Sequence, residues 1–350
     1  MQYRQLSFSS GLRDSIRQEA QGGCASIAIG LGGAGVSCLR ALKRQVYAHR
    51  NPDDPEAAAC SRFRFLAVDA DHAGMKPESG ISDLKVDEFF DISGGNVRKL
   101  LQQTCCPEYA RLMERIPPFH VYIPCGIRRL GHLLLICRSG AFMERLCQLI
   151  REVRAGLPED SEVRIHIFSG LGGGTGSGIL LDVCYLMQKA LQEMGAEEHA
   201  KTSGYLFLPD ASLRIFGSAG NPALCEHILA NSYAVLKELD YCKNFPVNGG
   251  SWEQAYIGFQ VGPVRKPPME LCYLISAGDT QGARGDSDQV MDTMPPYFMP
   301  LWSDGVSPSV HELIQICREA YLHSSFPGTH IYEGAPGDPR DWRQLPDFTF

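Results

Sequence analysis

Residues 168–178 read Phe168-Ser169-Gly170-Leu171-Gly172-Gly173-Gly174-Thr175-Gly176-Ser177-Gly178, six glycines in eleven positions. Glycine costs conformational entropy and packs no side chain. A stretch this bare exists because something approaches the main chain closely or because the backbone takes φ > 0. Upstream, Val163–Phe168 sets β-branched and aromatic residues at alternate positions, as a strand does. Downstream from Ile179, Leu180, Val183, Met187 and Leu191 fall at helical spacing. Strand, glycine loop, helix is the reading. Such a loop aims free N–H groups and the positive end of a helix dipole at one point, which suits a phosphate. Thr175 and Ser177 add hydroxyl donors. The loop has no Lys, so it is not a Walker P-loop. The plainer alternative is a turn whose glycines only let the helix pack closely on the sheet.

The same pattern recurs along the chain. Ala25–Ile29 reads as a strand running into Gly30-Leu31-Gly32-Gly33-Ala34-Gly35, followed by a helix with Leu39, Leu42 and Val46 on one face. Phe63–Val68 is a second strand ending in Asp69-Ala70-Asp71-His72, and a short strand near Glu88–Ile92 precedes Ser93-Gly94-Gly95-Asn96. Residues 104–125 are irregular, and Ser139–Ala155 is helical. After the glycine loop come a strand over Gly204–Leu208, a helix from about Pro222 to Asp240, a glycine- and proline-rich connection, and a strand over Leu271–Ser276. Beyond Ala277 the chain is loop-like around one helix, Val310–His323. Alternating strands and helices predict an α/β fold, a parallel sheet with helices on both faces. Ligands bind such sheets at the carboxyl ends of the strands. The segments Gly30–Gly35, Asp69–His72, Ser93–Asn96 and Gly170–Gly178 all follow strands, so they gather on one edge.

The totals narrow the partners. At 350 residues the chain can bury a large core, with 44% hydrophobic and 21% charged residues. A net charge of −7 argues against nucleic acid as a partner. The basic residues Arg40, Lys43, Arg44 and Arg50 read as the solvated face of one helix. No apolar run reaches the ~18 residues that span a bilayer, and Met1–Ser10 lacks the apolar core of a signal peptide. Thirteen cysteines, an odd number with no Cys-x-x-Cys pair, predict buried thiols in a reducing cytoplasm.

Gly30-x-Gly32-x-x-Gly35 fits a dinucleotide fingerprint, with Asp69 as its acid at the end of the next strand. That reading leaves the longer glycine loop unexplained, whereas a ligand with a run of phosphates spans both. Gly172-Gly173-Gly174-Thr175-Gly176-Ser177-Gly178 resembles the signature of the tubulin/FtsZ superfamily of GTPases, closest to its divergent bacterial members. Other pieces follow in the family's order. Gly30–Gly35 resembles its first phosphate loop, Val68-Asp69-Ala70-Asp71 the second, near metal and terminal phosphates, and Gly94-Gly95-Asn96 the third, near the γ-phosphate. Gly126–Gly131 resembles the Gly- and Arg-containing segment before the family's third helix. Asn231–Leu239 resembles the helix carrying a guanine-contacting Asn. From the residues alone Asn231 has two readings, an amide paired with a base or one bonded to nearby backbone.

The resemblance implies a Rossmann-like GTPase domain over residues 24–276, after an arm at 1–23 and before a partial or divergent central-helix and C-terminal region at 277–350. It implies GTP or GDP with Mg²⁺. Gly32, Gly33, Ala34, Gly35, Ser37 and Gly172, Gly173, Gly174, Thr175, Gly176, Ser177 would surround the phosphates. Asp71 or Asp69 would hold the metal's water shell, Gly94, Gly95 and Asn96 would face the γ-phosphate, and Asn231 the base. Asp210 and Arg214 read as ribose contacts or as a surface pair. The family completes hydrolysis with an Asn-x-Asp-type motif from a neighbouring subunit, and this chain has no Asn after Asn248. The expectation is therefore a cytoplasmic, self-assembling protein, head to tail with itself and with other proteins of an assembly, whose hydrolysis is weak or depends on another subunit. No catalytic residue is named. A non-polymerising nucleotide-dependent scaffold or regulator, and an NAD(P)-linked oxidoreductase, are the competing readings.

Overall fold

All seven residues of Ala25–Leu31 are buried, which places this segment at the centre of the sheet. The computed structural model describes residues 25–48, 63–71, 84–93, 126–155, 157–159, 161–209, 212–213 and 222–275. In chain order the elements are β1 (Ala25–Leu31), α1 (Gly32–Ala48), β2 (Phe63–Asp69), β3 (Phe89–Asp91), α2 (Arg128–Arg154) and β4 (Val163–Gly170). There follow α3 (Thr175–Glu193), β5 (Ala200–Phe207), α4 (Pro222–Lys243), the single turn α5 (Phe245–Asn248), β6 (Trp252–Tyr256), β7 (Phe259–Val264) and β8 (Leu271–Ile275). Six strands pair in parallel in the order β3-β2-β1-β4-β5-β8.

A parallel sheet must be covered on both faces, so its strands carry near-continuous apolar runs. Ile27, Ile29, Leu31, Ile165 and Ile167 join the core built with α2, α3 and α4. Ala28, Phe65, Phe168, Tyr205 and Tyr273 belong to the opposite core, with Leu39 and Leu42 of α1. The α/β architecture expected from the sequence is the one observed. The register sets Leu31 beside Val68 and Ser169, and Asp69 beside Asp91, so the carboxyl ends of four strands share one edge.

Several boundaries differ from the sequence reading. The helix read from Ser139 begins at Arg128. Its first turns are buried nearly all round, including Leu130, Leu133, Leu134, Leu135 and Ile136, so no amphipathic stripe marks them. β5 begins at Ala200 rather than Gly204, because the sheet recruits the polar run Lys201–Ser203 as well. The connection before β8 contains the antiparallel hairpin β6–β7, turned at Gly258 with φ 85°. Arg40 and Lys43 are buried rather than solvated: Arg40 lies over the Phe89 ring, and Lys43 over Phe65 with Glu88 as its ion partner. The N-terminal arm, residues 104–125 and residues 277–350 lie outside the described residues.

The hairpin is fastened to the helical layer by stacking and by a buried polar cluster. Trp252 stacks on Tyr185 of α3 at 4.7 Å between ring centroids. The Tyr256 hydroxyl donates to Asp182 Oδ1 at 2.6 Å, and Asp182 Oδ2 lies 2.7 Å from His132 Nδ1. Burial works against a charged imidazole here, but the Asp182 carboxylate outweighs it and raises the His132 pKa. Removing the shared acceptor from a buried cluster leaves two polar groups with their desolvation cost. We expect Asp182→Ala to cost about 2 kcal/mol in urea unfolding. An unchanged midpoint would mean that the cluster is dispensable.

Candidate functional site

The sheet order runs outward in opposite directions from β1 and β4, which makes their junction the point where such sheets hold ligands. Both strands pass into helices there with almost no chain between. Gly32, with φ 64°, is the corner from β1 into α1, a conformation that L side chains resist. A Cβ on Gly176 would sit 2.8 Å from the Leu31 carbonyl oxygen, so the two turns touch through bare backbone. Only Leu171–Gly174 separate β4 from α3. Thr175, Gly176, Ser177 and Gly178, read from the sequence as loop, form the first helical turn.

The N-termini of α1 and α3 therefore meet at one edge. Each leaves N–H groups that the helix cannot satisfy internally, and each carries the positive end of a dipole. Neither first turn holds an acidic side chain, and Gly174 supplies no side-chain cap to α3. Gly33 and Gly173 are exposed, whereas Gly32, Ala34, Gly35, Gly172, Gly174 and Gly176 are buried and Ser37 half-buried. The geometry is that of an anion site with open access at Gly173, where an added Cβ would meet nothing within 4 Å.

The side chains around this edge are largely occupied with one another. Asp69, at the end of β2, is buried; its Oδ1 accepts from the Ala70 N–H at 2.7 Å, and its carboxylate is hydrogen-bonded by Thr175. Burial lifts its pKa to about 6, with Asp71 adding to the rise and the bonds from Thr175 and Ala70 opposing it. Ser177 Oγ donates to the Gly173 carbonyl within the loop. Asn231 Nδ2 donates to the carbonyls of Gly126 (2.7 Å) and Gly172 (3.0 Å). Two carbonyl acceptors fix which end of the amide is nitrogen and engage both its hydrogens. Nδ2 is thus bonded to nearby backbone, as in the second sequence reading, while Oδ1 takes no part in either bond. Asp71 stands half-buried two residues beyond Asp69. Gly94, Gly95, Asn96, Asp210 and Arg214 lie outside the described residues.

Sequence reasoning missed the struts behind the loop. His227 Nε2 lies 2.7 Å from the Gly126 carbonyl, and Arg128 spans from Glu238 of α4 to the Ser177 carbonyl of α3. The i, i+4 pair His227 and Asn231 on one helical face was the available signal. Four of the seven described cysteines are buried as expected, while Cys137 and Cys272, read as buried from their apolar segments, are half-buried. Cys38, Cys147, Cys184 and Cys242 are buried thiols in no disulfide, Cys225 is half-buried too, and burial pushes the Cys137 and Cys242 thiols up to about 11.

A family profile described as "Tubulin like" matches residues 27–296. The chain belongs to the tubulin-like family. Solved structures to which this tubulin-like chain is similar include CetZ from Methanosaeta thermophila, at 11% identity over 86% of this chain and 53% of that one, with a TM-score of 0.37. TubZ of Bacillus thuringiensis serovar israelensis, determined as a GTPγS-form protofilament, shares 14% identity over 89% and 59%, TM-score 0.36. TubZ of Clostridium botulinum phage c-st, truncated at its C-terminal tail, shares 13% over 61% and 50%, TM-score 0.29. The chain thus spans between 50% and 59% of the length of these proteins. No curated protein matches it. Among the described residues no helix is long and apolar enough to cross a membrane, and no group of three or more His, Cys, Asp or Glu side chains is placed to hold a metal ion.

Proposed function

We propose that this tubulin-like chain binds GTP or GDP with Mg²⁺ where β1 and β4 meet, and that the nucleotide governs its self-assembly. The observation that carries the reading is the meeting of two acid-free helix N-termini at the switch point of a parallel sheet. Backbone N–H groups of Gly32–Gly35 and Gly172–Gly176 hold the phosphates, with Ser37 beside them. Gly94, Gly95 and Asn96 face the γ-phosphate, and Asp210 and Arg214 the ribose. Mg²⁺ takes one or two carboxylates, several waters and substrate phosphates rather than an all-protein cage. Asp71 with Asp69, one strand away from the loops, fits that donor set, and Thr175 ties the Asp69 carboxylate to the phosphate helix.

A dinucleotide site needs the acid at the end of β2 turned to a ribose hydroxyl. Asp69 instead receives the Ala70 N–H and Thr175. That favours the run of phosphates over NAD(P). No catalytic base is assigned among these residues, and by family analogy hydrolysis falls to a group from a neighbouring copy. Head-to-tail assembly in the cytoplasm, with itself and with other proteins of an assembly, rests on analogy within the family; a non-polymerising regulator shares the same site. Calorimetric titration with GTP tests the reading. We expect binding that requires Mg²⁺ and that Asp71→Asn weakens by about tenfold. Absence of heat with either GTP or GDP would overturn it. Nucleotide-dependent light scattering then separates the assembling protein from the regulator.

A further inference from the structure

The structure assigns Asn231 as the positioning residue of the phosphate loop: its amide, fastened to Gly126 and Gly172, aims the N–H groups that meet the ligand. The assignment rests on the nucleotide reading above and gives α4 a part in it without any contact to the ligand.

Asn231 is buried on α4, its Nδ2 shared between the Gly126 carbonyl at the start of α2 and the Gly172 carbonyl in the loop. In a trans peptide the C=O of one residue and the N–H of the next point in opposite directions. Drawing the Gly172 carbonyl back toward α4 therefore turns the Gly173 N–H forward, on the side where Gly173 is exposed and open. Ser177 Oγ takes the next carbonyl, that of Gly173, and fixes the Gly174 N–H by the same rule. Two successive peptide planes are thus held from behind, one by each side chain.

The mounting is rigid. A Cβ on Gly172 would lie 2.6 Å from Ile228 Cγ2, so α4 packs directly against the loop backbone. One turn before Asn231, His227 reaches the same Gly126 carbonyl at 2.7 Å. Further along, Glu238 pairs with Arg128, which also bonds the Ser177 carbonyl. A loop of consecutive glycines has many backbone states. Without the amide it would sample orientations in which these N–H groups miss a phosphate.

The test separates phosphate from base. A fluorescent GTP analogue is bound to the full chain and displaced by GDP or by guanosine, for the wild type, Asn231→Ala and Asn231→Ser. The serine is smaller, adds no charge and keeps one hydrogen to donate. We expect Asn231→Ala to weaken GDP by roughly ten- to hundredfold while guanosine displaces as in the wild type. Asn231→Ser shows the same split with a smaller loss, and it carries the test should the alanine variant fail to fold. Equal losses for GDP and guanosine would make Asn231 a base contact and overturn the assignment. Unchanged affinity for both would reduce the amide to a structural bond. A wild type that binds no guanine nucleotide removes the underlying reading, and the assignment falls with it.

Discussion

Gly35→Ala unfolds the protein or destabilises it by more than about 3 kcal/mol. An added Cβ would stand 2.3 Å from the Phe168 carbonyl oxygen, 2.9 Å from the Gly30 carbonyl carbon and 3.2 Å from its Cα. All three atoms are backbone. They belong to β1 and β4, the two central strands, each paired on both sides and unable to retreat without breaking a ladder. No rotamer relieves such a contact. Gly140→Ala is the matched control: it lies within α2, where a Cβ would meet nothing within 4 Å. Alanine there gains up to about 1 kcal/mol of helix propensity. Urea unfolding of the two variants should move in opposite directions. A Gly35→Ala protein with the wild-type midpoint would mean that α1 does not pack against β1 and β4 as described.

The second large effect is acid lability centred on His166. This side chain is buried on β4 beside the Tyr205 hydroxyl, 3.3 Å from its Nδ1. Burial, assisted by the positive charge of Arg164, pushes its pKa down to about 3. The unfolded chain takes up a proton near the ordinary histidine value, while the folded chain declines it until much lower pH. Stability is therefore full above about pH 6.5 and is lost as pH falls from there toward 3, by about 4 to 5 kcal/mol across the window. His166→Phe removes the titration. Its stability relative to wild type should be constant above pH 7 and rise by about 3 kcal/mol between pH 7 and pH 4. The slope with pH is the test, because the lost Tyr205 contact shifts the variant by a constant. Parallel pH profiles would show that His166 takes up its proton as readily in the folded chain as in the unfolded one.

What the sequence disclosed was set by how local the signal is. The strand, glycine turn and helix over residues 163–191 were legible because an apolar strand, a run of glycines and a 3.6-residue stripe lie side by side. The early turns of α2 were not, since Leu133, Leu134 and Leu135 are buried in succession and leave no polar face. The β6–β7 hairpin hid among glycines and prolines, and Trp252–Tyr256 alternates in burial but not in residue type. Arg40 and Lys43 read as solvated because charges usually are; only the fold brings Phe89, Phe65 and Glu88 to them. The residue types of the site were visible, but their partners were not. Nothing in the spacing of Asp69 and Thr175, or of Asn231 and Gly172, says that they meet across separate elements.

The measurement that bears most directly on the account is competition for the site itself. Purified protein would be titrated with a fluorescent GTP analogue in the presence of Mg²⁺, then challenged with GTP, ATP and NAD. The account predicts displacement by GTP and not by ATP or NAD. Displacement by NAD without GTP would contradict it and make the β1–α1 corner a dinucleotide fingerprint.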